Sequence, residues 1–273
     1  MPELPDLEII KDVLREHVVG LSIEGVEVRK PVVTRDLIGD GFQAGLFGRS
    51  INRVERRGKF LIFTLAGERY LVINPMLAGR IRLCPHWERQ TPAPIVVLQL
   101  SNKTDLRYSD PKLMGKVYLA DDLRAVPTFA AQGPEALDPK LTLDVFKERL
   151  RQYRGEIKGI LTNQAFIAGI GNAYADEILF RARIYPYKKR PRLTPAEIET
   201  LYQSMRDVLT EAIDVLRTRV GTDIHIEIRD FLQVHGRGGQ PCPRCGTLIS
   251  EITAHQRLTN FCRTCQPGTL ICN

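Results

Sequence analysis

Six cysteines are present, and four stand near the C-terminus as Cys242-Pro-Arg-Cys245 and Cys262-Arg-Thr-Cys265, with sixteen residues between the pairs. Each Cys-x-x-Cys forms a tight knuckle that offers two thiolates to one ion, and this spacing is that of a four-cysteine zinc site. Four thiolates leave no open coordination position, so one Zn2+ here is structural. A pair of disulfides is the rival reading, disfavoured because an unsecreted chain is expected, the first residues lacking a basic segment followed by an apolar stretch. A redox Cys-x-x-Cys would need no second copy at this distance. Residues 247–253 read as strand, so the expected module is a zinc-stapled β-hairpin. Between residues 235 and 273, four arginines (237, 244, 257 and 263) face one acid, Glu251. That surplus favours nucleic-acid contact over a protein dock. Cys84 and Cys272 carry no pattern.

Gly169-Ile170-Gly171 invites a dinucleotide-binding reading, but Tyr174 occupies the third glycine position and no strand-like run precedes it. The motif lies between two helical stretches and reads as a helix–turn–helix connection. Backbone N–H groups at the following helix N-terminus can hold a phosphate, with Asn172 as a side-chain donor. A plain interhelical turn explains the same residues, and the basic surroundings leave the two readings level.

The elements that must carry these residues follow from periodicity. A helix is expected over residues 6–17, with Leu7, Ile10, Val13, Leu14 and His17 on one face and Pro5 at its start. From residue 23 to 119 the pattern is strand-like, at Val26/Val28 and over 60–65, 70–73, 95–100, 107–109 and 117–119, which implies an antiparallel sandwich or barrel. Residues 126–139 read as a Pro/Gly-rich linker. Helices are expected over 144–153, 157–163, 173–181 and 194–218, the last opened by a Thr194/Glu197 capping box with Pro195 at the first helical position. The chain has 273 residues, 43% hydrophobic and 26% charged, which is globular composition. It holds 39 Lys+Arg against 32 Asp+Glu, a formal +7 with pI near 9.2, which fits a polyanionic partner. No apolar run is long enough for a membrane span.

Four segments together resemble the formamidopyrimidine-DNA glycosylases, relatives of endonuclease VIII-type enzymes, over essentially the whole length. They are Pro2-Glu3-Leu4-Pro5, Arg56-Arg57-Gly58-Lys59, the run from Ala168 to Glu177, and the zinc hairpin with Arg257 and Thr259. The resemblance implies an α+β multidomain fold: an N-terminal β-sandwich with a leading helix (1–125), a hinge (126–138), a helix-two-turn-helix domain (139–234) and a four-cysteine zinc finger (235–273). It also implies a bifunctional DNA glycosylase/AP lyase of base excision repair, acting as a monomer on double-stranded DNA with damaged bases or abasic sites. The expected location is cytoplasmic, with the nucleoid if bacterial. Loss of Met1 would expose the secondary amine of Pro2, whose pKa near ~8 leaves a neutral fraction without deep burial. By resemblance that amine is the nucleophile, Glu3 the general acid/base, and Lys59 a phosphate ligand at the reacting nucleotide. Lys158, Asn172 and Arg257 would contact DNA, and Glu177 would brace the helix–turn–helix.

The sequence departs from the family at the residues that fill the vacated base stack. Leu77, Lys112 and Met114 stand where Met, Arg and Phe are usual. A lysine lacks the fork with which arginine reads an orphaned base. The stretch 223–233 is short where the family has a long loop over flipped 8-oxoguanine, and Asp6 replaces the usual Glu. A weakened 8-oxoguanine preference follows. The alternatives are an AP lyase without strong glycosylase activity and a non-catalytic damaged-DNA binding protein.

Overall fold

A computed structural model describes residues 1–254 and 257–268, so Cys272 lies outside the described residues. The chain divides into two compact units, residues 1–131 with 213–228, and residues 132–212 with 229–273.

In the first unit, helix α1 (Leu4–Val18) buries Leu7, Ile10, Leu14 and Val18. The face ends on Val18 rather than the expected His17, which is exposed and turns its ring Nδ1 to the Val13 carbonyl. Positions 17 and 18 bracket the 7-10-14 stripe equally closely at 3.6 residues per turn, and the apolar Val18 is the one buried. The helix also begins earlier than expected, because Glu3 and Asp6 form a capping box across its first turn.

Nine strands follow: β1 (Ile23–Val28), β2 (Thr34–Asp36), β3 (Ile51–Arg57), β4 (Phe60–Leu65), β5 (Arg69–Asn74), β6 (Arg80–Pro85), β7 (Val96–Leu100), β8 (Thr104–Ser109) and β9 (Lys116–Ala120). They form one sheet in the order β1-β7-β8-β6 and another in the order β2-β9-β5-β4-β3. All pairs are antiparallel except β2 with β9. One apolar core takes α1 and residues from both sheets, among them Leu61, Phe63, Ile73, Leu98, Leu106 and Leu119. A second, smaller cluster covers the other face of β4 with Phe60, Ile62, Val72 and Val126. Strand β4 is therefore apolar on both faces, the continuous pattern of a strand buried on each side.

The expected linker is not free chain. Val126 is buried and Phe129 packs edge-on against Phe60 at 5.5 Å. In the second unit, Gly133 N–H donates to the Gln164 carbonyl and the Pro134 carbonyl accepts from Ala168 N–H, at 2.8 and 2.9 Å. The Pro and Gly residues shape a fixed path whose backbone bonds go to the body of each unit.

The second unit contains α2 (Leu143–Arg151), α3 (Ile157–Leu161), α4 (Asn172–Arg181) and α5 (Pro195–Arg219), the last turns of α5 belonging to the first unit. The α5 capping box forms as the sequence predicts, with Thr194 N–H on the Glu197 carboxylate at 2.8 Å and Glu197 N–H on Thr194 Oγ1 at 3.2 Å. A hairpin of β10 (Ser250–Ala254) and β11 (Arg257–Phe261) completes the unit. Its first strand starts three residues later than expected, because Leu248 bridges back to Pro241 in the knuckle.

Candidate active site and nucleic-acid interface

Pro2 is buried and Glu3, 2% exposed, is the N-cap of α1. The Glu3 side chain accepts from the N3 backbone, and Glu3 N–H donates to Asp6 Oδ2 at 2.8 Å. Asp6 has the right length for this return bond. Pro2 and Asp6 line a narrow cleft, with Gly79, Arg80, His225 and Glu227 among the other walls. The Met1 ammonium pairs with Glu227 Oε1 at 3.2 Å, and Arg80 Nη2 pairs with the other oxygen of that carboxylate. Neither Glu227 nor Arg80 belongs to a motif, so no pattern in the sequence marks them.

Lys59 sits in the two-residue turn between β3 and β4, with Gly58 at φ +55° as the first turn residue. A reversed turn of this kind needs positive φ there. Arg56 fixes the turn to α1: its Nε donates to Glu8 Oε2 at 2.7 Å and its Nη1 to the Gly58 carbonyl at 2.9 Å. Burial pushes the Glu8 carboxyl up, but Lys11 and Arg56 outweigh it and hold the group below the ordinary glutamate value. The hairpin bearing Lys59 is thus pinned to the helix that Pro2 and Glu3 open.

Leu77 and Met114 are 43% and 41% exposed, and Lys112 is exposed, on the β5–β6 and β8–β9 loops. Met76 and Leu113 beside them adopt positive φ, 48° and 53°. The Asp110 carboxylate holds the second loop by accepting from Lys112 N–H at 3.0 Å and Gly115 N–H at 2.6 Å. The Tyr108 hydroxyl lies against both loops: a Cβ on Gly79 would come within 2.5 Å of it and one on Gly115 within 1.8 Å. Burial and the neighbouring Asp110 push the Tyr108 phenol well above its ordinary value, so it stays neutral.

In the second unit, Gln164 stitches the glycine turn, accepting from Gly169 N–H at 2.9 Å and donating to the Ile170 carbonyl at 2.8 Å. Asn172 begins α4 and donates through Nδ2 to the Leu258 carbonyl. Lys158 is 5% exposed; its ammonium meets Asp176 Oδ1 at 2.6 Å, the Leu258 carbonyl at 2.8 Å and Thr259 Oγ1 at 2.9 Å. Lys158 is expected to contact DNA, whereas here its ammonium donors are directed into protein. Asp176 also accepts from Asn260 N–H and hydrogen-bonds His235 Nδ1, at 3.1 and 2.8 Å. Glu177 accepts from the N–H groups of Gln233, Val234 and His235 at 2.8 to 2.9 Å. It therefore braces the segment that leads into the zinc hairpin, rather than the turn itself. Burial raises the Glu177 pKa even against those three donors. Arg257, exposed on β11, donates to Thr162 Oγ1 at 2.7 Å.

The sulfurs of Cys242, Cys245, Cys262 and Cys265 all lie within 4.8 Å of one another, with Cys242 to Cys265 at 3.9 Å and Cys245 to Cys262 at 3.5 Å. A tetrahedral zinc with ~2.3 Å bonds to sulfur needs edges of about 3.8 Å. The cage fits one zinc ion, whose role in a closed four-sulfur set is structural.

Three family models match this chain: the formamidopyrimidine-DNA glycosylase N-terminal domain over residues 1–117, the H2TH domain of the same enzymes over 132–223, and the zinc finger found in FPG and IleRS over 239–268. A formamidopyrimidine-DNA glycosylase of Pelotomaculum thermopropionicum is 37% identical, covering 97% of this chain and 99% of the relative. The crystal structure of the MutM (Fpg) protein of Thermus thermophilus is 34% identical, with a TM-score of 0.85 over 98% of this chain and all of that one. Lactococcus lactis Fpg in complex with DNA containing an abasic site is 29% identical, with a TM-score of 0.89 over 97% of this chain and all of that one. In sequence, fold and zinc module alike, the chain belongs to the formamidopyrimidine-DNA glycosylase family of base excision repair enzymes.

Proposed function

We propose that this enzyme excises oxidised bases with Pro2 as nucleophile and then cleaves the strand as a lyase, with a weakened preference for 8-oxoguanine. The observation that carries the reading is the placing of Pro2 and Glu3 together at the capped start of α1, beside a cleft. With Met1 removed, the lone pair of the Pro2 nitrogen attacks C1′ and the bond from C1′ to the base breaks. The base leaves with the electron pair and takes a proton, for which Glu3 is the nearest general acid at the helix start. The nitrogen then sheds its own proton, and its lone pair breaks the C1′–O4′ bond, with O4′ taking up a proton, to give an iminium ion. Loss of a C2′ proton then expels the 3′ phosphate, and a second elimination expels the 5′ phosphate.

Lys59 holds the phosphate at the reacting nucleotide, its turn being tied to α1 through Arg56 and Glu8. Asn172 and Arg257 contact flanking phosphates, and Lys158 positions the β11 backbone between them. Residues 1–125 do the chemistry together with the 213–228 segment that completes their unit, 126–138 join, the rest of 139–234 grips DNA and 235–273 form the zinc finger. Action on chromosomal DNA puts the enzyme in the cytoplasm. The exposed Leu77 and Met114 fill the vacated stack as aliphatic wedges. Lys112 lacks an arginine fork, and the short 223–233 stretch offers little cover for a flipped purine. Those features also favour a second reading, an AP lyase with a feeble glycosylase step.

Borohydride trapping of Met1-processed protein tests both, on duplexes carrying an abasic site, formamidopyrimidine, 8-oxoguanine or an oxidised pyrimidine. Adducts on formamidopyrimidine and oxidised pyrimidine ahead of 8-oxoguanine support the first reading. An adduct on the abasic duplex alone supports the second. Tight duplex binding without any adduct overturns both and leaves a damage-binding protein.

A further inference from the structure

We infer that Glu227, held by Arg80, is a positioning residue for the N-terminal amine, and that it offsets the positive charge which that nitrogen acquires during the reaction. The assignment rests on the Pro2 reading above. Met1 N lies 3.2 Å from Glu227 Oε1, and Pro2 and Glu227 line the same cleft. Backbone bond lengths put successive nitrogens about 3 Å apart, so removal of Met1 leaves the new terminus no more than about 7 Å from that carboxylate. The cleft is largely apolar, with Leu7, Ile10, Ile81 and Val220 in its walls, and Glu227 is only 22% exposed. Charges interact more strongly in such a setting than in open water.

Glu227 is not on a freely swinging loop. Three residues earlier, Ile224 is 3% exposed and belongs to the core shared by α1 and the two sheets. Arg80 is anchored at the start of β6, paired with Ser109, and donates through Nη1 to the Gly79 carbonyl at 2.9 Å. The other titratable groups at the cleft are Asp6 on α1 and His225 beside Glu227. Burial, with Arg82 nearby, keeps His225 below its ordinary value and hence neutral at neutral pH. Glu227 is thus a carboxylate fixed within reach of the terminus on the 223–228 segment. Arg80 pairs with the second oxygen of the same carboxylate and so holds it in place for the amine. When the nitrogen becomes an iminium, the carboxylate remains as counter-charge. No bond is made or broken at Glu227.

The test is single-turnover borohydride trapping at saturating abasic-site duplex, with Met1 removal verified by mass and duplex affinity titrated separately. Glu227→Gln keeps the shape and loses the charge. It should trap about tenfold more slowly with unchanged duplex affinity and melting temperature, and Glu227→Asp should recover part of the rate. Trapping at the wild-type rate by Glu227→Gln would overturn the assignment. So would a slowing matched by lost affinity or a lowered melting temperature, since that marks a merely structural role. If the Pro2-terminated wild type forms no adduct at all, the Pro2 reading itself fails and this assignment falls with it.

Discussion

Lys158 and Asp176 form a buried ion pair, 6% and 0% exposed at the side chain. Removing one partner of such a pair leaves the other charged and unsolvated, a cost of about 3–5 kcal/mol. Lys158→Met should therefore destabilise the protein by about 3 kcal/mol in urea titration, and duplex affinity should fall with it as the hairpin loosens. Glu8 makes a subtler contribution. Its folded-state pKa lies below the ordinary 4.5, so its ionised form stabilises the fold above the unfolded pKa, and that gain is lost as pH falls through the folded value. The difference in melting temperature between wild type and Glu8→Gln should then be full at pH 6 and shrink below pH 4. A difference that persists unchanged in acid would mean the Arg56 and Lys11 contacts act by shape alone.

At the scale of elements, the β5–β6 and β8–β9 loops share Tyr108 as a support. Gly115→Ala places a methyl within 1.8 Å of the Tyr108 oxygen. Overpacking of this kind costs about 1–3 kcal/mol, and Tyr108→Phe in the same chain should recover most of it by removing the oxygen. Additive losses in the double variant would show that the loops do not lean on that hydroxyl. Neither glycine stood out in the sequence, because what makes them necessary is a side chain brought in from another strand.

The strands missed by periodicity, β2, β3 and β6, are all sheet edges. Edge strands carry charge on purpose, as Arg53, Glu55, Arg56 and Arg57 do on β3 and Arg80 and Arg82 on β6, and charge erases the alternation. Strands inside the sheets, such as β4 and β7, were legible from their apolar runs. The zinc ligands were legible because four identical soft donors at fixed spacing suit a tetrahedral ion and little else. Glu227, Arg80, Tyr108 and the Asp176–His235 contact were not, since each depends on segments far apart in the chain.

For the molecule as a whole, a formal charge of +7 implies a salt-dependent hold on DNA. Association with a duplex should weaken linearly in log affinity against log salt. Arg257→Ala should reduce that slope by about 0.9 if its guanidinium neutralises one phosphate. Chelation should release one zinc per chain and lower affinity by unfolding the hairpin, whose cysteines Cys242 and Cys262 are buried in a cluster with Phe180 and Val234. An unchanged slope for Arg257→Ala would confine that residue to its contact with Thr162.

The first compact unit is discontinuous in the gene: residues 213–228 return to it after an excursion of some eighty residues. That late segment supplies Ile224 to the core and Glu227 to the cleft. Recombination between relatives at the end of β9 would therefore graft the N-terminal unit onto a foreign piece of its own interior. A designer of chimaeras should move residues 213–228 together with residues 1–131, or find the hybrid poorly packed at the residues that matter most.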